Sequence, residues 1–303
     1  MNKQFFHQRG GAGERESQEE VDRKRFLEGK GFTVVGGLGE GKFGRVFLCK
    51  ATRASDGGVV GEKEYALKEV ELKGEDKLED DGFGKVEPVS GNIHQEIKIL
   101  EALRDVPGVY NLYQHFCGPV IHGSKPKNHY ICLEHLSGGN ILDFINHRAS
   151  RFPFTKGSLG NSEDTKSFNN LLLLCQIARE LLMTLKSIHD AGIFHLDLKL
   201  ENIMFTENIM FKDPPYNTPI VKIIDFGASL TTKSTYEERL YFRGSPPYVD
   251  PNYTLKILQL TQGLHVQGIT DNDFRNADIY ALGSILYVLY NGSGHSMVPV
   301  FRA

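Results

Sequence analysis

The chain has 303 residues with a net charge of −3, and 40% of its side chains are hydrophobic and 24% charged. That balance fits a soluble globular protein of one large domain or two lobes, and it excludes a fibre or a chain disordered throughout. No basic run is interleaved with aromatics, which speaks against a nucleic-acid partner, and no apolar run nears the roughly 20 residues that span a bilayer.

Residues 1–28 are Gly-rich and then strongly charged, with few anchors for a core, and read as a disordered tail or a solvated helix. They carry neither a secretory leader nor a glycine at position two, so a cytoplasmic location is expected, with the nucleus left open. Cys49, Cys117, Cys132 and Cys175 are far apart, with no CxxC pair, and read as free thiols in a reducing compartment.

From Phe32 the sequence FTVVGGLGEGKFGRVFLCKA sets two β-prone runs around a glycine cluster, which reads as a hairpin. Gly39, Gly41 and Gly44 fit GxGxxG and precede Val46; glycines let backbone N–H groups approach phosphate oxygens closely. A dinucleotide fingerprint needs a helix directly after the glycines, and RVFLCKA continues instead as a strand. The stretch EYALKEVEL, with Ala66, reads as the next strand and holds Lys68 in its interior, where an ammonium wants a partner. After an acidic insert over 73–91, NIHQEIKILEAL has helical periodicity with Glu96 at the edge of its apolar face, a plausible partner for Lys68.

HYICLEHL reads as a strand over 129–136, and SGGNILDFI as a turn into a helix. An adenine could lie there, with the backbone of Glu134 to Leu136 hydrogen-bonding it and Leu133 setting the pocket depth, and the segment equally suits an ordinary strand-to-helix link. A polar insert over about 149–168 reads as a loop. Leu174, Ile177, Ala178, Leu181, Leu182, Leu185 and Ile188 then mark a long buried helix, ended by Gly192.

Directly after it, FHLDLKLEN packs Asp197, Lys199 and Asn202 into six residues. A carboxylate can hold a hydroxyl, an ammonium can offset transferring charge and an amide carbonyl can bind a metal. ENIMFT is followed by ENIMFK, a local duplication that would lengthen a hairpin. IVKIIDFGASL then places Asp225 at a strand terminus, a natural magnesium ligand. The hydroxyl-rich stretch 228–250 reads as flexible, and ADIYALGSILYVLY as a helix apolar on nearly all faces.

Taken in order, these pieces resemble the eukaryotic protein kinase family from about residue 32 to about residue 291. The resemblance implies an α+β, two-lobed fold, with a small β-rich N-lobe over about 29–135 and a mainly helical C-lobe over about 136–303. It implies ATP and Mg2+ as cofactors and a protein as substrate. GEGKFGRV is similar to the loop over the phosphates, Lys68 to the lysine that holds α and β phosphates, and Glu96 to its partner. By the same resemblance Asp197 is the base and orienter, Lys199 a γ-phosphate contact, Asn202 and Asp225 the metal ligands, and Asp278 a brace beneath the catalytic loop. Lys199 two places after the Asp is the form used for serine and threonine.

Three departures stand out. The usual Arg before Asp197 is Leu196, which predicts activity without phosphorylation of segment 228–250. Asn252 replaces a usual Glu. The chain also ends at Ala303, soon after the helix of Asp278, so the C-lobe is incomplete in this resemblance. Either the sequence is then a fragment or incomplete product, or Ile279, Leu282, Ile285, Leu286, Val288 and Leu289 are expected to be covered by a partner, by self-association or by an insert over 253–277. The alternative function is a catalytically impaired kinase-shaped scaffold or binding protein, and a third is a kinase of small molecules. Glu201 hints at basic residues near the target hydroxyl, although its expected place is a solvated surface.

Overall fold

The computed structural model describes residues 17–41, 44–51, 63–72, 93–119, 128–148, 163–209 and 219–291. The chain divides into two units, residues 1–76 with 112–135, and residues 77–111 with 136–303. The expectations for residues 1–16, 73–91 and 149–162, for the repeat beyond Ile209 and for the stretch after Asn291 fall outside the described residues.

The first unit is an antiparallel five-stranded sheet in the order β1-β2-β3-β5-β4, formed by β1 (Phe32–Gly41), β2 (Gly44–Ala51), β3 (Glu64–Glu71), β4 (Leu112–Cys117) and β5 (Asn128–Glu134). Each strand carries β-branched or aromatic residues, which suit a pleated, half-buried surface. Gly44 has φ 126°, and a Cβ there would lie 1.9 Å from the carbonyl oxygen of Glu69, so only glycine lets β2 leave the hairpin beside β3.

Residues 18–29 form a helix, one of the two expected readings, but one that is anchored rather than wholly solvated. Ser17 caps α1 (Gln18–Gly29), and the helix packs on the sheet. Leu27 is fully buried with Phe32, Cys49, Leu67, Tyr130 and Cys132, and the ring of Phe26 lies 5.8 Å from that of Tyr130. Arg23 donates to the buried Glu69 carboxylate at 3.0 Å, where Asn128 and the Tyr130 hydroxyl also donate. The charge pattern of 18–29 conceals these few anchors, of which only Phe26 and Leu27 are apolar.

The second unit contains α2 (Ile93–Ala102), α3 (Ile141–Arg148), α4 (Glu163–Asp190), α5 (Tyr236–Arg239), α6 (Pro251–Thr261) and α7 (Asp271–Asn291). Residues 77–111, expected in the first lobe, group with this unit. Gln95 of α2 donates to the Ser229 carbonyl at 3.0 Å, and Val109 forms a bridge with Ile223. α4 starts at Glu163, earlier than the expected loop allowed, because no Gly or Pro interrupts the sequence before Asp190. Gly192 ends it with φ 72°.

Segment 253–277, expected as an insert, holds most of α6 and the start of α7. Tyr253 and Ile257 of α6 pack with Phe274 and Ala277 of α7 in one core cluster. α7 is not apolar-buried all round: Leu282, Ile285, Val288 and Leu289 are buried, while Ile279, Tyr287 and Tyr290 are about half exposed.

Candidate active site

Two short ladders clamp the loops that carry the acidic residues. β6 (Ile193–Phe194) pairs with β9 (Leu230–Thr231), and β7 (Ile203–Phe205) pairs with β8 (Val221–Ile223), all antiparallel. The loop from His195 to Asn202 leaves β6 and enters β7; the loop from Ile224 to Ser229 leaves β8 and enters β9. Each loop is therefore held at both ends by strands that pair with the strands of the other.

The crossing is stitched by hydrogen bonds. Ile224 N–H donates to the Asn202 carbonyl at 2.9 Å, His195 Nε2 to the Ile224 carbonyl at 3.0 Å, and Ser229 Oγ to the His195 carbonyl at 3.1 Å. Asp197 N–H donates to His195 Nδ1 at 3.2 Å, so the wholly buried imidazole has its tautomer fixed by both neighbours. Beneath, Asp278 is 1% exposed and accepts from His195 N–H, Leu196 N–H and His189 Nε2 at 2.8–2.9 Å.

On this support the Asp197 carboxylate gathers three donors. Lys199 Nζ lies 2.7 Å from Oδ2, Asn202 Nδ2 lies 3.3 Å from the same oxygen, and Ser245 Oγ donates to Oδ1 at 2.8 Å. Asn202 Nδ2 also donates to the Asp197 carbonyl at 2.8 Å, which turns its own amide oxygen away from that contact. Asp225 N–H is 3.3 Å from the Tyr110 hydroxyl. Leu196 and Asp225 both take positive φ, 61° and 64°, a conformation that costs L-residues about 1–2 kcal/mol each. The loops thus hold strained backbone beside the acidic groups, a state that persists only where surrounding contacts enforce it.

Asn202 and Asp225 offer an amide oxygen and a carboxylate from adjoining backbone. That hard-oxygen donor pair fits Mg2+, which takes one or two protein ligands together with substrate phosphates.

Ser245 was not singled out as a site residue in the sequence, where one hydroxyl among several in 228–250 carries no distinguishing signal. The same stretch corrects the expectation of flexibility. Thr235 caps α5 in a reciprocal capping box with Glu238. Arg239 reaches the carbonyls of Ser234 and Thr232 and the Asp271 carboxylate, with its guanidinium 5.4 Å from the Phe274 ring centroid. Leu196 is buried among Phe194, Leu230, Tyr253, Ile257 and Phe274.

Glu201 is only partly exposed, and its Oε2 is buried with no hydrogen-bond partner among the described residues, which corrects the expected solvated position. Burial, followed by the charge of Glu201, pushes the nearby Tyr248 phenol up to about 12.

In the first unit the register aligns Val46, Lys68 and Ile131 across three strands, and Ala66 with Leu133. Directly opposed residues share a face, so Val46, Ala66, Lys68 and Leu133 lie on one side of the sheet. Gly39 pairs with Val46 and Gly41 with Gly44. Lys68 is buried, and Glu134 is partly exposed at the end of β5. Glu96 and Leu136 are buried in the second unit.

The family model of the protein kinase domain matches residues 32–297. CBL-interacting serine/threonine-protein kinase 17 of Arabidopsis thaliana is 29% identical over 206 residues, covering 67% of this chain and 36% of its own length. CBL-interacting protein kinase 21 of Oryza sativa subsp. japonica is 28% identical over 258 residues, covering 84% of this chain and 37% of its own length. Calcium-dependent protein kinase 25 of Arabidopsis thaliana is 26% identical over 260 residues, with the same two shares, 84% and 37%. The chain therefore spans little more than a third of the length of these relatives.

Proposed function

The chain belongs to the protein kinase domain family, and from that premise we propose that it is an ATP- and Mg2+-dependent protein serine/threonine kinase. The observation that carries this reading is the convergence of Lys199, Asn202 and Ser245 on the Asp197 carboxylate. A carboxylate held from both sides can receive a substrate hydroxyl in one orientation and take its proton as the phosphoryl group transfers.

Lys199 offsets the charge on the transferred group. Lys68, buried on β3, holds the α and β phosphates, with Gly39, Gly41 and Gly44 letting backbone N–H groups approach them. The adenine lies against Val46, Ala66 and Leu133, with the backbone of Glu134 to Leu136 as its hydrogen-bonding edge. Asn202 and Asp225 hold Mg2+, which when bound neutralises phosphate charge. The serine/threonine preference rests on Lys199 and on the relatives' names. The rival reading, a kinase-shaped binding protein, leaves the arrangement around Asp197 without a use.

The test is ATP turnover with a generic protein acceptor. Asp197→Ala should lower it by about 10²-fold or more, since positioned proton transfer alone contributes that much, and Asp225→Ala should lower it by removing a Mg2+ ligand. Equal turnover in all three proteins would overturn the mechanism.

A further inference from the structure

β4 is an edge strand of the first unit, and near its end it carries two residues that meet a third from β5. Cys117 stands directly opposite His129, and His115 stands opposite Ile131, so the three side chains share one face of the sheet. Cys117 Sγ lies 3.7 Å from His129 Nδ1, and His129 Nε2 lies 3.2 Å from His115 Nδ1. The two rings are within 22° of parallel, with centroids 5.4 Å apart, so the nitrogens meet edge to edge. Cys117 and His115 are exposed, whereas His129 is 4% exposed.

One proton arrangement satisfies the whole row. The thiol donates to His129 Nδ1, His129 Nε2–H donates to His115 Nδ1, and the remaining proton of His115 sits on Nε2 at the exposed end. When the sulfur proton moves to His129, the resulting imidazolium keeps both N–H bonds engaged, one to the thiolate and one to His115. A thiolate beside an imidazolium is the form that attacks electrophiles. We propose that Cys117 is a reactive thiol and a site of covalent modification by thiol–disulfide exchange, with His129 as its proton acceptor and His115 as the group that positions and backs His129.

The step balances without a further oxidant. The Cys117 thiolate attacks one sulfur of a low-molecular-weight disulfide, a new S–S bond forms as the old one breaks, and the leaving thiolate takes the proton from His129. The products are a mixed disulfide at Cys117 and one free thiol.

The other cysteines give internal contrast. Cys49 and Cys132 are buried, and burial pushes each thiol up to about 12, which leaves almost no thiolate near neutral pH. Cys175 is exposed on α4 and has no histidine partner among the described residues. The cluster lies on the face of the sheet that also carries Val70, opposite His129, and Lys68, opposite Ile131. It stands on the first unit alone, so its failure would leave the phosphotransfer reading untouched.

The experiment labels the full chain with dithiobis-nitrobenzoate, and separately with glutathione disulfide, and follows each cysteine by peptide mass spectrometry. At neutral pH Cys117 should react about tenfold faster than Cys175 or more. His115→Gln should slow Cys117 about threefold or more and flatten its advantage, leaving Cys175 unchanged; Cys175→Ser should leave the fast reaction intact. Equal rates at Cys117 and Cys175 in the unaltered protein would overturn the proposal without reliance on any variant.

Discussion

Ser245 Oγ donates to Oδ1 of Asp197 at 2.8 Å while Lys199 Nζ holds the other oxygen at 2.7 Å. A hydroxyl from the end of segment 228–250 thereby decides how the carboxylate of the loop before β7 is turned. A hydrogen bond to a charged group contributes about 1.5–3 kcal/mol, so its loss at the transition state is worth about 10- to 100-fold in rate. Ser245→Ala should lower kcat by about that factor with little change in KM for ATP, and Ser245→Thr should restore it. Unaltered kcat in the alanine variant would show that the contact is incidental.

Phosphate is not expected to be required. Leu196 occupies a buried apolar cluster, and segment 228–250 is already held by Arg239 and the Thr235–Glu238 capping box. Phosphatase-treated protein should keep its turnover, whereas Arg239→Ala should lower it by removing contacts to Ser234, Thr232 and Asp271 together. Complete inactivity after phosphatase, rescued by acidic replacement of Thr231, Ser234 or Thr235, would sink this idea.

Helix α1 should be integral to the stability of the first unit. Leu27 is fully buried, so Leu27→Ala is expected to cost about 2–5 kcal/mol. Arg23→Ala removes the 3.0 Å donor from the buried Glu69 carboxylate but leaves Arg45 Nε 3.4 Å from its other oxygen, so the cost is that of one hydrogen bond to a charged group, about 1.5–3 kcal/mol. Denaturant midpoints check both, and unchanged midpoints would mean that α1 detaches readily in solution.

Acid should weaken the junction of α6 and α7 through Asp273. Burial raises its carboxyl, but Lys256 at 2.7 Å and the hydroxyl and N–H of Thr270 more than offset this, and the net shift is downward. A depressed folded pKa gives stability that is complete above the unfolded value of about 3.9 and lost as pH falls through the folded value. Asp273→Asn should therefore lose about 1–2 kcal/mol near neutral pH, in line with loss of a helix cap. The difference from the unaltered protein should close as pH falls through the folded value. A pH-independent difference would assign the effect to packing instead.

Much of this was legible in residue order. The glycine hairpin, the strand of Lys68, the helix of Glu96, the long helix ending at Gly192 and the paired acidic loops all announce themselves through local periodicity or turn chemistry. The contacts that were missed share a different property: their meaning comes from residues distant in the chain. Leu27 becomes core only against Tyr130 and Cys132, Ser245 becomes part of the site only across 48 residues from Asp197, and Arg239 orders its segment partly through Asp271. The helical start at Glu163 was missed because polar residues there look like a loop until the absence of Gly and Pro is weighed.

Neighbouring residues of β3 point to opposite faces, Lys68 to one and Glu69 to the other, where α1 sits. The family match begins at residue 32, immediately after that helix. A recombinant fragment started at Phe32 on the strength of the match would strip cover from Leu67, Tyr130 and Cys132, leaving a sticky apolar plate and a carboxylate with one of its two arginines gone. Such a preparation is expected to bind hydrophobic dyes, precipitate and score as inactive, whereas one begun at Ser17 stays in solution. Dye binding and solubility measured on the two preparations side by side would tell a dead enzyme from a badly cut one.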